Sequence, residues 1–336
     1  MNIDKLFALA VEKKASDLHL VAGLAPMLRI DGELFPAQAE KLNADEIEKM
    51  VSAILSEPHR EKFAAEKELD VSYAAKNGSR FRVNVRFERG NVALAARVIS
   101  QDIPALVDIN MPAVVVNLLQ RTQGLILMTG PTGCGKSTAL AAMIEHINQK
   151  QARNIITLED PIEFLFTSKK SIVTQRQLGT DMLSFADGLK HIVRQDPNVI
   201  MVGEMRDLET VAAAVTLAET GHLVLATLHT YSAAQTVARI TDIFPAYQQG
   251  QITAQLSVVL TAVISQRLVP AREILLNTPA VANVIRERKA SQILGVIETS
   301  GNAGMVSMEK ALKELHGQGA ITKETMRAYM ADSLMV

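Results

Sequence analysis

The stretch Gly130-Pro131-Thr132-Gly133-Cys134-Gly135-Lys136-Ser137 has the spacing G-x-x-x-x-G-K-[ST], and each residue type in it has a task toward a polyphosphate. Glycines let successive backbone N–H groups converge on phosphate oxygens at the positive end of a helix. Lys136 neutralises charge on the β- and γ-phosphates, and Ser137 offers an oxygen to Mg²⁺. The expected contact set for ATP and Mg²⁺ is Gly130, Pro131, Thr132, Gly133, Cys134, Gly135, Lys136 and Ser137, with Thr138 following. A buried apolar run, Leu125 to Thr129, precedes the loop and a helical pattern, Ser137 to Lys150, follows it, which is the context the motif requires. Cys134 sits near a helix start, where a thiol pKa falls; it is read as a small side chain filling a variable position rather than as a redox or alkylation switch.

Hydrolysis needs one carboxylate at the Mg²⁺ shell and another to orient the attacking water, both at the carboxyl ends of central strands. Val199-Ile200-Met201-Val202-Gly203-Glu204 is an apolar strand ending in an acid, which suits Glu204 to Mg²⁺ alongside Ser137. Ile155 to Leu158 runs into Glu159, Asp160 and Glu163. An acid after a strand is equally the mark of a solvated turn, so the residues alone leave these roles open. His229 ends the strand Leu223 to Thr227 on the same side, where an imidazole can sense a γ-phosphate; His222, at that strand's start, reads more as a structural histidine. A zinc pair lacks third and fourth ligands nearby. Arg82, Arg86 and Arg97 are either solvated face charges or groups acting across a subunit boundary.

At 336 residues the chain exceeds one ordinary core and predicts two domains. With 48% apolar and 21% charged residues, both are expected to be folded. From Asp17 to Val21 and Met27 to Ile30 strands are expected, turning at Asp31-Gly32, with a helix before them (Ile3 to Lys14) and one after (Lys41 to Ala65, N-capped by Asn43). Hairpins are expected at Asn77-Gly78 and Arg89-Gly90. Between them Phe81, Val83, Val85 and Phe87 alternate with Arg80, Arg82, Asn84 and Arg86, so one face of that strand is basic. Residues 1–102 thus form a smaller α+β domain, 103–112 a Pro-containing linker, and 113–336 an α/β domain whose apolar strands are buried on both faces, helical beyond Ile274. Pro245 to Gln266 is uncharged but glutamine-rich, and is read as a buried soluble helix rather than a membrane span.

A net charge of −1 gives no overall field for nucleic acid, and Met1-Asn2-Ile3-Asp4-Lys5 does not resemble a secretion signal. No nucleic-acid partner or membrane insertion is expected, and a cytoplasmic location is. The single cysteine excludes an internal disulfide and a multi-thiolate zinc module.

Together, Ser16-Asp17-Leu18-His19-Leu20, the phosphate loop, Leu158 to Glu163, Gly203-Glu204-Met205-Arg206-Asp207, and Thr220 through Thr230 resemble the PilT family of type IV pilus retraction ATPases, within the secretion ATPase superfamily. The resemblance covers essentially the whole chain. It implies a RecA-like P-loop ATPase core with a PAS-like amino-terminal domain, assembled as a homohexamer. It also implies work at the cytoplasmic face of the inner membrane against a pilus platform protein. Under it Glu163 is the carboxylate that orients water, Glu204 is the Walker B acid and His229 belongs to a histidine box. Arg82 and Arg97, with Arg80 as the weaker candidate, reach a neighbouring subunit's nucleotide. Two departures stand out: Ala282 replaces a charged residue in the retraction signature Ala280 to Glu287, and Pro270 to Glu273 is shorter than the family's Gly-rich connection. An assembly or secretion ATPase is the nearest alternative, but it brings a four-cysteine module that a chain with one cysteine cannot build. A nucleic-acid translocase is the more distant one.

Overall fold

In the computed structural model, which describes residues 2–76, 78–99 and 102–334 with side chains as far as residue 331, the chain divides into two units: Met1–Asp102 with Glu163–Leu165, and Ile103–Ile162 with Phe166–Val336.

In the first unit, α1 (Ile3–Glu12) starts where the Asn2 side chain accepts from the Asp4 amide, and buries Ile3, Leu6, Phe7 and Ala10. The strands β1 (Asp17–Leu20), β2 (Met27–Ile30) and β3 (Glu33–Pro36) follow. Asp31 and Gly32, with φ of 48° and 88°, make the tight turn between the last two. Asn43 and Glu46 form a reciprocal capping box at the start of α2 (Ala44–Ile54). The single helix expected over Lys41 to Ala65 is in fact two. Leu55 and Ser56 are extended, and α3 (Glu57–Glu66) restarts with Pro58 in its first turn, a position proline accepts and a helix interior does not. With β4 (Glu68–Ala74), β5 (Arg80–Glu88) and β6 (Asn91–Ile99), these strands build one antiparallel sheet in the order β3-β2-β1-β6-β5-β4. Arg89 and Gly90 turn β5 into β6 with φ of 49° and 80°; Asn77 of the other expected hairpin lies outside the described residues. Phe81, Val83 and Val85 are fully buried, whereas Phe87 sits at the rim, 39% exposed, with its ring stacked 4.9 Å from that of Phe63.

The second unit runs α4 (Ala113–Leu118), β7 (Gly124–Thr129), α5 (Lys136–Lys150), β8 (Asn154–Glu159), β9 (Ile172–Gln177), α6 (Phe185–Ile192), β10 (Val199–Val202), α7 (Leu208–Glu219), β11 (Leu223–Leu228), α8 (Ala233–Asp242), α9 (Ala246–Val259), β12 (Leu260–Gln266), β13 (Arg272–Leu276), α10 (Pro279–Arg286), α11 (Ile293–Thr299), α12 (Met308–Gly317) and α13 (Lys323–Leu334). Its seven strands are ordered β13-β12-β7-β11-β10-β8-β9, parallel except for β13. Alternate residues feed two cores. Leu125, Leu127, Ile200, Val202, Val224 and Ala226 enter one; Ile126, Met128, Val199, Met201, Leu223 and Leu225 enter the other. Helices cover both faces, so nearly every strand position is apolar.

The run Pro245 to Gln266 is not one helix. It turns at Leu260 into β12, whose residues are all buried between β7 and β13. Pairing on both sides suits the β-branched Thr261, Val263 and Ile264 better than a helix does. The chain beyond Ile274 is helical apart from the end of β13 and a bridge from Ile274 to Val306. No helix among the described residues is long and apolar enough to cross a membrane.

Candidate nucleotide site

β7, β11, β10 and β8 are consecutive neighbours in the parallel sheet, so the loops after their carboxyl ends stand side by side. The first is the glycine loop. Gly130, Gly133 and Gly135 have φ of 143°, 79° and 88°, values that L side chains rarely adopt. A Cβ on Gly130 would also stand 2.3 Å from the Gln266 carbonyl oxygen and 2.7 Å from Cys134 Sγ. Gly135 caps α5, so the amides of its first turn are unspent inside the helix and face the loop. Lys136 is buried, its ammonium donating to the carbonyl oxygens of Gly130 at 2.7 Å and Pro131 at 2.9 Å. Ser137 and Thr138 are half-buried; Thr132 and Gly133 are exposed at the loop's crest.

Cys134 is buried and its thiol is pushed up by that burial, which outweighs Lys136 and the nearby amides. The lowered pKa that a helix start suggests is overturned, and the residue is a filler against Gly130.

Glu204 is held by its neighbours' backbones. The Gly203 amide donates to the Leu158 carbonyl at 2.8 Å, and the Met205 amide to the Thr227 carbonyl at 3.1 Å. The loop after β10 is thereby pinned to β8 on one side and β11 on the other. Gly203 permits this approach, since its Cβ would lie 3.2 Å from the Leu158 carbonyl oxygen. Asp207 then caps α7 by accepting from the Thr210 amide.

From Glu204 a polar line crosses the strand ends. Arg206 Nη2 lies 2.6 Å from Glu204 Oε2, and His229 Nε2 lies 3.4 Å from Oε1. On its other side His229 Nδ1 is 3.3 Å from the Thr132 hydroxyl in the glycine loop. A carboxylate only accepts, so the hydrogen bond between His229 and Glu204 runs from Nε2–H to the carboxylate. Burial pushes the Glu204 carboxyl up, but Arg206 and His229 overcome it and hold the group below the usual carboxylate range. Arg206 is raised in turn, chiefly by its hydrogen bond to Glu204 and further by Asp160. Glu159 is buried at the end of β8, accepting from Thr157 at 2.6 Å and Gln175 at 3.0 Å. His222 takes a different part. Its Nδ1 donates to the Leu217 carbonyl at 2.9 Å, closing the end of α7.

This arrangement fits a nucleotide and Mg²⁺. The loop offers converging amides and an ammonium, and Ser137 and Glu204 offer one hydroxyl and one ionised carboxylate. Magnesium typically takes only one or two protein oxygens and fills its remaining positions with phosphate and water.

The type II/IV secretion system protein family matches residues 2–331. The chain is 41% identical, over 97% of both chains, to a protein of Pseudomonas aeruginosa named type IV pilus retractation ATPase PilT. It is 43% identical to a twitching motility protein of Neisseria gonorrhoeae, over 91% of this chain and 84% of the other. A solved structure described as the pilus retraction motor PilT with bound ADP superposes with a TM-score of 0.91 at 43% identity, covering 98% of this chain and 97% of that one. The chain belongs to the type II/IV secretion system protein family, in its PilT branch. Its core is the RecA-like α/β fold of these ATPases.

Other residues expected at the site belong to the first unit. Glu163 is exposed, on the stretch Glu163–Leu165 that groups with the first unit. Arg82 and Arg97 face each other across β5 and β6 on the sheet face opposite the buried Phe81 and Val83. Arg82 is exposed, and Arg97 Nε donates to Asp17 Oδ1 at 3.0 Å. In the retraction signature, Ala282 is half-buried on α10 while Val281, Val284 and Ile285 point into the core. The short connection at Pro270 is a tight turn closed by the Arg267 amide on the Ala271 carbonyl at 3.1 Å. Sequence reasoning gave no role to Arg206, although the residue stands in a motif it singled out, two positions after an acid at a strand end. Thr132 was expected only as a phosphate contact, and its pairing with His229 has no local signal.

Proposed function

We propose that the chain is the subunit of a homohexameric motor that hydrolyses Mg-ATP to power type IV pilus retraction, acting at the cytoplasmic face of the inner membrane against a pilus platform protein. The observation that carries this is the polar line from the phosphate loop through His229 and Glu204 to Arg206, in a chain of which 97% matches a retraction ATPase.

Gly130 to Thr138 cradle the phosphates, and Lys136 exchanges its two carbonyl acceptors for β- and γ-oxygens. Ser137 and Glu204 would hold Mg²⁺, which when bound would supply positive charge against the charge of the phosphates. Glu163, exposed beyond β8, orients the attacking water as general base. His229 bridges the loop crest and Glu204, so a change at the phosphates is felt at the acid. Arg82 and Arg97 serve a neighbouring subunit's nucleotide, where an arginine is worth about 10³ to 10⁵ in rate. The absence of a basic field at net charge −1 supports a protein rather than a nucleic-acid partner.

The test pairs ATP turnover with pilus behaviour for Lys136→Ala and Glu163→Gln. Lys136→Ala is expected to lose nucleotide binding. Glu163→Gln should bind ATP yet turn over roughly 10²- to 10⁴-fold more slowly, the usual worth of a general base. Neither, as the cell's only copy, should support retraction. Normal retraction with either variant contradicts the proposal.

A further inference from the structure

Behind the phosphate loop, on the side away from Glu204, lies a second hydrogen-bonded chain. Gln266, the last residue of β12, donates from Nε2 to the Cys134 carbonyl at 2.7 Å and accepts at Oε1 from Arg272 Nε at 2.8 Å. The remaining nitrogens of Arg272 donate to the carbonyl oxygens of Asn110 at 3.0 Å and Ile109 at 2.9 Å. Both side chains are 6% exposed. The path therefore runs without interruption from the loop to residues 109–110, the segment by which the chain enters its second unit.

Three features set this chain apart from ordinary packing. Its polarity is fixed: a guanidinium only donates, so Oε1 of Gln266 must face Arg272 and the amide N–H₂ must face the loop. Gln266 also meets the loop at three residues. Besides the bond to Cys134, its carbonyl oxygen is what a Cβ on Gly130 would strike, and its Nε2 lies 3.0 Å from where a Cβ on Gly135 would stand. Finally, burial lowers the Arg272 pKa and is the only influence resolved on it, so the charge rests on neutral carbonyl and amide oxygens rather than on a carboxylate. Burying a cation this way costs stability; an apolar pair would fill the space at lower cost. What the guanidinium adds is a rigid three-way fork that holds two carbonyls and one amide in register.

The segment so held has an ordered fold of its own. The Ala105 amide donates to Asp108 Oδ2 at 2.9 Å, the Asn110 amide to the Val107 carbonyl at 3.0 Å and the Met111 amide to the Leu106 carbonyl at 2.9 Å. Asn110 is held at a φ of 50°. Any shift of the Cys134 carbonyl on phosphate binding pulls on Gln266, and through Arg272 on these carbonyls.

We propose that Gln266 and Arg272 are positioning residues that couple nucleotide in the phosphate loop to the order of residues 105–111. The proposal rests on the ATP-binding reading above.

Hydrogen exchange of the full-length protein, with and without saturating Mg-ADP, tests it without relying on turnover. In the wild type, Mg-ADP should slow exchange both in the loop and at the amides of Asn110 and Met111. The second effect should be about five- to tenfold, the size of one hydrogen bond's net contribution. Gln266→Met fills similar space but neither donates nor accepts in the same way. Arg272→Lys keeps the charge but loses the fork. Each should leave the loop protected by Mg-ADP while residues 105–111 no longer respond. Should Arg272→Lys fail to fold in a thermal melt, Gln266→Met alone carries the comparison. An undiminished response at 105–111 in the folded variants overturns the relay, as does a wild type whose loop is protected while 105–111 stays unchanged. No protection of the wild-type loop would instead overturn nucleotide binding, and the relay with it.

Discussion

At the scale of single residues, the site depends on two opposing influences at Glu204. Burial favours the neutral carboxyl, whereas Arg206 and His229 favour the carboxylate and prevail. A group whose folded pKa is depressed stays ionised down to that pKa, so if Glu204 holds Mg²⁺ as proposed, Mg²⁺-dependent binding should persist into mildly acidic solution. Arg206→Met removes the larger of the two opposing partners and leaves His229 alone against burial. The Glu204 pKa should then rise from its depressed position, and the acid limb of Mg-ADP affinity should move to higher pH. Titrating that affinity in wild type and variant measures the shift; coincident limbs would show that Arg206 does not set the ionisation of Glu204. The same balance runs the other way at Cys134, where burial outweighs Lys136 and keeps the thiol protonated.

At the scale of elements, α5 is clamped to the approach of β9 by a buried polar knot. Asn148 donates to Glu145 and to the Thr167 carbonyl, both at 2.9 Å, and accepts from the Lys169 amide at 2.9 Å, while the Lys169 ammonium pairs with Glu145. Burial raises the Glu145 pKa, but Lys169, Gln149 and Asn148 together lower it. Its stabilising contribution is thus fully present above the unfolded-state pKa and is lost as pH falls through the depressed folded value. Glu145→Gln should cost about 1 kcal/mol at pH 7, less than the roughly 1.5–3 kcal/mol of a hydrogen bond to a charged group because Lys169 is half exposed. The cost should shrink toward zero in acid. Denaturant melts across that range check both size and sign, and a pH-independent cost contradicts the account. The far half of this knot is not visible in the sequence, because Thr167 and Lys169 lie 19 to 24 positions from Asn148 and Glu145 and two of the contacts run through a backbone carbonyl and amide. The placing of the phosphate loop, Glu204 and His229 beyond the ends of apolar strands was legible because its signal is local: a short spacing, or a polar residue ending an apolar strand. The run Pro245 to Gln266 was misread because an uncharged run does not say whether it pairs or coils; the answer lay in β7 and β13 on either side of it. β9 was missed because it is an edge strand of mixed burial, Ile172-Val173-Thr174-Gln175-Arg176-Gln177, without the continuous apolar run that marked its neighbours.

At the scale of the whole molecule, the proposal requires more than one copy of the chain, because the arginines of the first unit are to complete a neighbour's site. Whether Arg82 acts on its own chain or on the next can be decided by mixing two defective proteins. A Lys136→Ala protomer cannot hold nucleotide but still carries Arg82; an Arg82→Ala protomer holds nucleotide but lacks the guanidinium. Each alone should be nearly inactive, by about 10³-fold or more for the missing arginine if it acts as a finger. In a mixed ring, an intact phosphate loop on an Arg82→Ala protomer can face the Arg82 of a Lys136→Ala neighbour, and that site is complete. Steady-state ATP hydrolysis should therefore rise on mixing, well above the sum of the two separate rates, and fall again when either partner is replaced by the Lys136→Ala/Arg82→Ala double variant. If Arg82 served its own chain, no combination would assemble a whole site, and the mixture would show only the sum of its parts. Rates that merely add would therefore reject the shared-site arrangement, while leaving intact the binding of nucleotide by Gly130 to Thr138.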